Sequence, residues 1–411
     1  MKCGLTEASL AEVCSLVTDG THDTPKRVPS GFPLIKAKEI VTGQIDFSSC
    51  DQISETEHRK VIARSKPEFG DTLFTHIGAS LGAAAYVNTT REFSIKNIAL
   101  FKPNPAVIDA RYLYYVVVSP EFQSLAIGRK TGSAQPFLGL NQLRGHRIHY
   151  HRDLLIQSRI AGILSAYDEL IENSQRRIKI LEAMARALYR EWFVHFRFPG
   201  HESVPRVPSP LGEIPQGWEV RKLGDLCTLA KDAYRDSHHS EFPLLDLARM
   251  PSRTLAPQET GKPSELTTSR IVFQQGDTLF GAIRCYLHKV VVMHYSGVTN
   301  TSVLVLRPKR ALFRSLLAVI ASDADTIRWA ETHSTGTKMP VINWGVFQKM
   351  PTPIPSQALA QEYERLAGPM LDEIGALATQ IQNLRRTRDL LLPRLLSGQI
   401  DVANLADPVA A

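Results

Sequence analysis

Residues 171–193 read IENSQRRIKILEAMARALYREWF, and residues 374–396 read IGALATQIQNLRRTRDLLLPRLL. At an offset of 203 positions they align without a gap, with Ile178 on Ile381, Leu181 on Leu384 and Leu188 on Leu391. The first stretch belongs to a longer apolar series: Ile160, Ile163, Tyr167, Leu170, Ser174, Ile178, Leu181, Ala185 and Leu188. The second belongs to Leu366, Met370, Ile374, Leu377, Ile381, Leu384, Arg388, Leu391 and Leu395. Steps of three and four residues predict two long helices, each carrying a narrow apolar seam. Such a seam has to be covered by another helix, and the simplest cover for each is the other. At roughly 35–40 residues each would be about 50–60 Å long. An antiparallel pair would then put whatever precedes each helix at opposite ends.

What precedes each helix is also repeated. Gly70-Asp71-Thr72-Leu73-Phe74 recurs as Gly276-Asp277-Thr278-Leu279-Phe280, and Thr131-Gly132-Ser133 as Thr335-Gly336-Thr337. A proline follows each of the latter, Pro136 and Pro340. The segment from Leu10 through Cys14 to Leu16 resembles that from Leu223 through Cys227 to Leu229.

Residues 1–150 show short β-type runs at 32–35, 72–77, 98–101 and 147–150, with one helix predicted at 110–124. Residues 218–350 repeat the pattern, with runs at 244–247, 270–273, 278–283, 290–293 and 301–306 and a helix at 312–321. The expected organisation is α+β with an internal pseudo-two-fold repeat. A first globule (1–150) is followed by a long helix (151–198) and a Pro-rich linker (199–217). A second globule (218–355), ending in a stiff Pro351–Pro355 connector, leads to a second long helix and tail (356–411).

The 411 residues are 43% hydrophobic and 22% charged, ordinary for globular protein, with a formal charge of +7. A basic excess suits a polyanionic partner, because Lys and Arg displace the counterions condensed on nucleic acid. The five cysteines (3, 14, 50, 227 and 285) are odd in number and lack C-x-x-C spacing. That speaks for reduced thiols rather than a disulfide framework or zinc site. The N-terminal MKCGLTEASLAEV has no signal-peptide core, and the apolar run 112–118 is too short to span a bilayer. The expectation is a cytoplasmic protein with no membrane contact.

Signals for chemistry are sparse. Gly78-Ala-Ser80-Leu-Gly82 matches a nucleophile elbow, but the repeat places Arg284 and Tyr286 where Gly78 and Ser80 stand. A Gly-rich turn between strands is the better reading. His146, His149 and His151 lie in RGHRIHYHR, where alternation puts the last two on one strand face. A solvated or phosphate-facing strand is favoured there over a metal site. His238-His239 has no ligand spacing. There is no P-loop, no dinucleotide fingerprint, and no Pro-Pro dipeptide such as an adenine methyltransferase motif would carry. The chain reads as a binder, with no catalytic and no metal-ligating residues expected.

Four passages together resemble the specificity subunits of type I restriction-modification enzymes. Ile214-Pro-Gln-Gly-Trp218 through Leu223-Gly-Asp225 looks like the entry to that family's second target-recognition domain. Leu181 to Phe193, followed by Phe196-Arg-Phe198-Pro199-Gly200, is similar to its central conserved helix. Leu384 to Gly398 is similar to its distal one. Asp19-Gly-Thr-His22-Asp-Thr24-Pro25, with Gly70–Phe74, resembles the first recognition domain of one subgroup. Residues 1–10 depart from the pattern, lacking the Trp-to-Gly entry seen at 218–224.

The resemblance implies a non-catalytic subunit that reads a bipartite, asymmetric double-stranded DNA target. It implies two adenine methyltransferase subunits and two translocase/nuclease subunits as partners. S-adenosylmethionine and ATP with magnesium would be held by those partners, and no cofactor by this chain.

For such a reader, polar side chains on glycine-containing loops are the candidate base contacts. They are Thr131, Ser133 and Gln135 in the first globule and Thr335, Thr337 and Lys338 in the second. His22, Thr24 and Lys26 form a second candidate loop. Lys36, Lys38, Arg129, Lys130, Arg235, Arg284 and Lys289 are candidate phosphate contacts. Tyr189, Trp192 and Phe193 are expected to pack the helix end against a globule or a partner subunit.

Overall fold

In the computed structural model the two aligned stretches are helical, and the helices Leu154–Tyr189 and Gln357–Leu396 begin 203 positions apart, the offset of the sequence repeat. The structure describes residues 4–41, 43–128 and 137–403. They fall into two compact units: residues 1–169 with 386–411, and residues 170–385. Each unit therefore contains one globule and a share of both long helices. The helices expected as segments of their own (151–198 and 356–411) are divided between the units.

In unit 1 an antiparallel four-stranded sheet runs in the order Cys14–Asp19, Ala99–Pro103, Thr72–Phe74, Ala84–Tyr86. Alternation along its strands sends side chains to two faces. Phe74 and Phe101 meet Tyr112, Leu113, Phe122 and the helix residues Ile160, Leu164, Leu392 and Leu395. Leu73, Leu100 and Ala85 meet Ile35, Phe93 and Ile95. The second group comes from a smaller sheet in the order Asp51–Ile53, Arg27–Ile35, Ser94–Ile95. Truncating Leu73 to alanine in such a site costs about 2–5 kcal/mol.

Unit 2 repeats the plan. Its four-stranded sheet is Cys227–Leu229, Val303–Pro308, Thr278–Gly281, Val290–Val292. Phe280, Leu304 and Leu306 face the helices, while Leu279, Val291 and Val305 face Leu245 and Phe273. The shared pentapeptide is structural in both units. Gly70 and Gly276 take φ of 97° and 90°, and the aspartate after each caps the turn, accepting from Glu68 N–H or Gln274 N–H at 2.8 Å.

Within each unit the long helices pair antiparallel. Asp168 meets Arg388, and Arg159 lies beside Val402, in unit 1. In unit 2 Arg177 meets Glu373 at 2.5 Å, and Tyr363 donates to Ala185 O at 3.2 Å. The two polar seam residues are accounted for: Ser174 bonds back to Leu170 O at 2.7 Å, and Arg388 pairs with Asp168 at 2.6 Å.

Several sequence expectations need correction. The helix expected at 110–124 is two, Ala110–Val118 and Pro120–Gly128. Pro120 forces Ser119 to an extended ψ of 150°, and Ser119 Oγ then caps Phe122 N–H at 3.3 Å. A second helix, Ala324–Thr332, also follows Arg314–Ala321, but without a proline: Asp323 starts it, its side chain accepting from Asp325 N–H. The Pro351–Ile354 connector is a strand paired with Glu219–Lys222, and its counterpart in unit 1 pairs Leu5–Ser9 with Arg147–His151. A two-stranded edge tolerates proline because alternate residues carry the ladder donors. The Pro-rich linker folds as a hairpin, Arg206–Ser209 with Gly212–Pro215. Leu244 makes isolated bridges rather than a strand.

Candidate nucleic-acid interface

Unit 1 gathers several of the named residues on one face. The strand end at Asp19 leads into the 20–26 turn, where Gly20 is required: a Cβ there would sit 2.1 Å from Ile95 O. His22 is held between two partners, Asn97 Oδ1 at 2.9 Å through Nδ1 and the buried Asp19 carboxylate at 2.9 Å through Nε2. Arg64 and, at 3.9 Å, His76 converge on the same Asp19. Burial holds the His76 imidazole below its ordinary range, so the ring stays neutral beside Leu138 O. Lys96 donates to Thr24 Oγ1. A shallow groove is lined by Lys36, Ala37, Lys38, Ile77, Lys96 and Asn97.

His22, Thr24, Lys36 and Lys38 thus come together with two residues the sequence reading missed, Lys96 and Asn97. Asn97 takes φ of 55°, a conformation asparagine tolerates better than most residues. Lys38 is 65% exposed, and Lys26 is exposed. Lys36 differs from its expected role: its ammonium pairs with Asp51, which Arg27 also approaches at 3.0 Å. That ammonium, hydrogen-bonded to the carboxylate, holds Asp51 below the usual carboxylate range. Arg129, Lys130, Thr131, Ser133 and Gln135 lie outside the described residues. Just after them Phe137, 55% exposed, forms a bridge with Ile77 at the groove's edge.

In unit 2 Thr335, Thr337 and Lys338 are exposed on a loop closed by reciprocal Thr335–Val341 backbone bonds of 3.0 and 2.9 Å. The adjoining turn 283–289 is tied to it by Arg284 N–H to Pro340 O at 2.8 Å. Arg284 is exposed beside Tyr286 and Met339, which are 46% and 53% exposed. Lys289 is corrected: it is half-buried, and its ammonium donates to Leu247 O at 2.8 Å. Arg235 lies instead on the side of the three-stranded sheet, next to Tyr234, whose ring carries Arg270 at 4.9 Å.

The aromatic helix end is interior rather than partner-facing. Trp192 and Phe193 are 6% and 3% exposed, and half-buried Tyr189 stacks on Phe193. Phe193 packs on Tyr363 at 5.0 Å and Trp218 at 5.6 Å. A π-helical turn, Arg190–Val194, rotates these rings inward. Ser80 sits in the turn between Thr72–Phe74 and Ala84–Tyr86, and among the described residues no base hydrogen-bonds its hydroxyl. His149 is exposed and pairs with Glu121 at 2.9 Å, whereas His151 is buried with Nε2 3.2 Å from Leu395 O. The two therefore do not share a solvated face. Among the described residues no cluster of His, Cys, Asp and Glu could hold a metal, and no helix is long and apolar enough to cross a membrane.

No family model matches the chain. Among curated proteins, the type I restriction enzyme MjaIX specificity subunit of Methanocaldococcus jannaschii is 25% identical over 320 residues, covering 74% of this chain and 72% of that one. The type I restriction enzyme HindI specificity subunit of Haemophilus influenzae is 20% identical over 435 residues, covering 88% and 94%. Among solved structures, the S subunit of a type I restriction-modification system from M. genitalium superposes with a TM-score of 0.59 at 15% identity. That match covers 95% of this chain and 96% of the other, and shows the same fold.

Proposed function

We propose, on the premise that this chain belongs to the specificity subunits of type I restriction enzymes, that its two units each read one half of a split DNA target. The subunit recognises DNA and directs the complex without chemistry of its own. The observation that carries the two-part reading is the repeated plan with unlike loops. The sheet order and the Gly-Asp-Thr-Leu-Phe turn recur, while Gly78 and Ser80 in the loop of the first copy stand where the second copy has Arg284 and Tyr286. Two different faces on one plan suit an asymmetric target, since base edges are read by the side chains presented and phosphates only position them.

In this reading adenine methyltransferase subunits bind the chain and carry S-adenosylmethionine. Translocase/nuclease subunits, two of each kind in the full assembly, carry ATP and magnesium. Lys26, Lys38 and Lys338 supply the nonspecific part of affinity through phosphates, and His22, Asn97, Thr335 and Thr337 stand at the bases.

The test is retention of the assembled methyltransferase complex on duplex DNA across a salt series. Affinity should fall steeply and linearly in log–log form as counterions are re-bound. Retention indifferent to salt, or none, would favour a protein-binding scaffold.

A further inference from the structure

The turn between the second and third core strands has one backbone and two chemistries. In unit 1 it runs through Gly78 and Gly82, with φ of 85° and 100°. In unit 2 the repeat places Arg284 and His288 at those positions, and both keep the left-handed conformation, each with φ of 53°. L side chains bear a steric cost there that glycine does not. A strained residue that persists asks for a reason, and the reasons differ at the two positions.

His288 has an internal one. Its Nε2 donates to Ser322 O at 2.7 Å, pinning the turn to the end of the Arg314–Ala321 helix, and burial keeps the ring neutral for that role. Arg284 has none. Its backbone N–H bonds Pro340 O, which a glycine would do equally well. Its guanidinium has no hydrogen-bond or ion-pair partner among the described residues. Neighbouring Tyr286 is likewise exposed, and its hydroxyl has no hydrogen-bond partner among the described residues. A second left-handed arginine, Arg253 with φ of 62°, is exposed and bonds His288 O at 2.9 Å. Glycine would relieve both arginine positions.

We infer that Arg284 is a base-reading residue of the second recognition unit rather than a phosphate contact, and that it specifies a guanine, with Tyr286 packed beside it. The planar fork of arginine matches the O6 and N7 acceptors that guanine alone presents together in the major groove. The turn it stands on is braced at three points, by Pro340, Ser322 and Arg253, which fixes the fork as a selective contact requires. Unit 1, with Gly78, Ser80 and Gly82 at these positions, has no such group in this turn. The inference rests on the reading of the preceding section and assigns a role within it.

Arg284→Gly tests it, because this exchange installs the residue unit 1 uses and removes strain. The methyltransferase complex, native or carrying the variant, selects from a library of duplexes with randomised cores, and the recovered motifs are compared. The native complex should return a two-part motif with guanine at one position of one part. Arg284→Gly should lose preference at that position by roughly 10- to 100-fold, leave the other part unchanged, and melt at the same or a higher temperature. Arg284→Lys, which keeps the charge without the fork, should also lose the guanine preference while retaining most of the affinity. An unchanged motif from Arg284→Gly would overturn the inference. So would a uniform weakening across all sequences with a shallower salt dependence, the mark of a phosphate contact. A native complex that enriches no motif would overturn the reading of the preceding section and this inference with it.

Discussion

Unit 1 and unit 2 spell the same turn, Gly-Asp-Thr-Leu-Phe, and answer its aspartate differently. Asp71 meets the single ammonium of Lys102 at 2.6 Å, and Lys102 also reaches Glu68 at 3.0 Å. Asp277 meets the fork of Arg307 through two bonds of 2.8 Å, and Asp232 takes a third donor at 2.8 Å. The attachments to the helices differ as well. Unit 1 uses Tyr115 O–H and Arg388 on Asp168, both at 2.6 Å. Unit 2 seats His294 in a notch at Gly375 and binds Glu182 to Thr254 and Leu255 N–H at 2.5 and 2.6 Å. The repeat therefore preserves strand register and turn geometry, while the polar devices that fasten each copy were settled separately. The loops that carry Gly78 and Arg284 follow the same rule.

The four tryptophans, at 192, 218, 329 and 344, all lie in unit 2, so their fluorescence follows that unit by itself. Asp277→Ala should be the most damaging change, about 3–5 kcal/mol by denaturant titration of that fluorescence, because it strips a buried, doubly bonded partner from Arg307. Asp71→Ala, followed by hydrogen exchange of unit 1, should cost about half as much. Burial raises the Asp71 pKa despite Lys102, so its charged form adds less at neutral pH and adds progressively more cost as pH rises through its folded value. Equal losses in the two units would break the comparison.

His294 gives the next largest effect. Burial outweighs the attraction of Asp372 and holds its imidazole at about 4, with Arg314 pushing the same way. The folded value lies below the unfolded one, so the neutral ring's contribution is complete above the unfolded value of about 6.5 and is lost as pH falls toward 4. It amounts to about 3 kcal/mol at most. Tryptophan fluorescence should show unit 2 weakening across that window, and His294→Phe should flatten the profile. A profile unaltered by His294→Phe would assign the acid sensitivity elsewhere.

Gly375→Ala should cost about 1–3 kcal/mol in unit 2, because its Cβ would fall 2.0 Å from His294 Cγ. The double variant with His294→Ala should recover part of that loss, whereas additive losses would mean the notch is not the point of contact. Smallest of all is Arg284→Gly, expected to leave stability within about 0.5–1 kcal/mol of native, or improved, while DNA selection changes.

The long helices, their common offset and the α+β repeat were legible because a seam spaced three and four and a repeated pentapeptide are local signals. The break at Ser119-Pro120 was legible too, yet the apolar run from Tyr112 to Val118 masked it. The strand at Pro351–Ile354 was not, since two prolines describe an irregular connector until Glu219–Lys222 supplies the partner strand. From sequence Trp192 and Phe193 fit against a globule or a partner subunit alike, because large aromatics at a helix end serve either role; their burial against Trp218 and Tyr363 decides for the globule. On the candidate interface, the glycine-containing loop of unit 2 was legible as an exposed loop, and the structure ties it to the 283–289 turn through Arg284 N–H and Pro340 O. Lys96 and Asn97 were missed because the parallel bridge that brings them to the 20–26 turn spans more than seventy residues. The exchange of Gly78 for Arg284 was visible in the repeat, but its meaning depended on a positive φ that sequence does not display.

The most direct test of the account is single-molecule methylation sequencing of DNA from cells expressing this chain with the adenine methyltransferase subunit that the account proposes as its partner. The account predicts methyladenine at one split, asymmetric motif that vanishes when this chain is omitted. A stable complex of the two proteins that leaves the DNA without any such motif would contradict it.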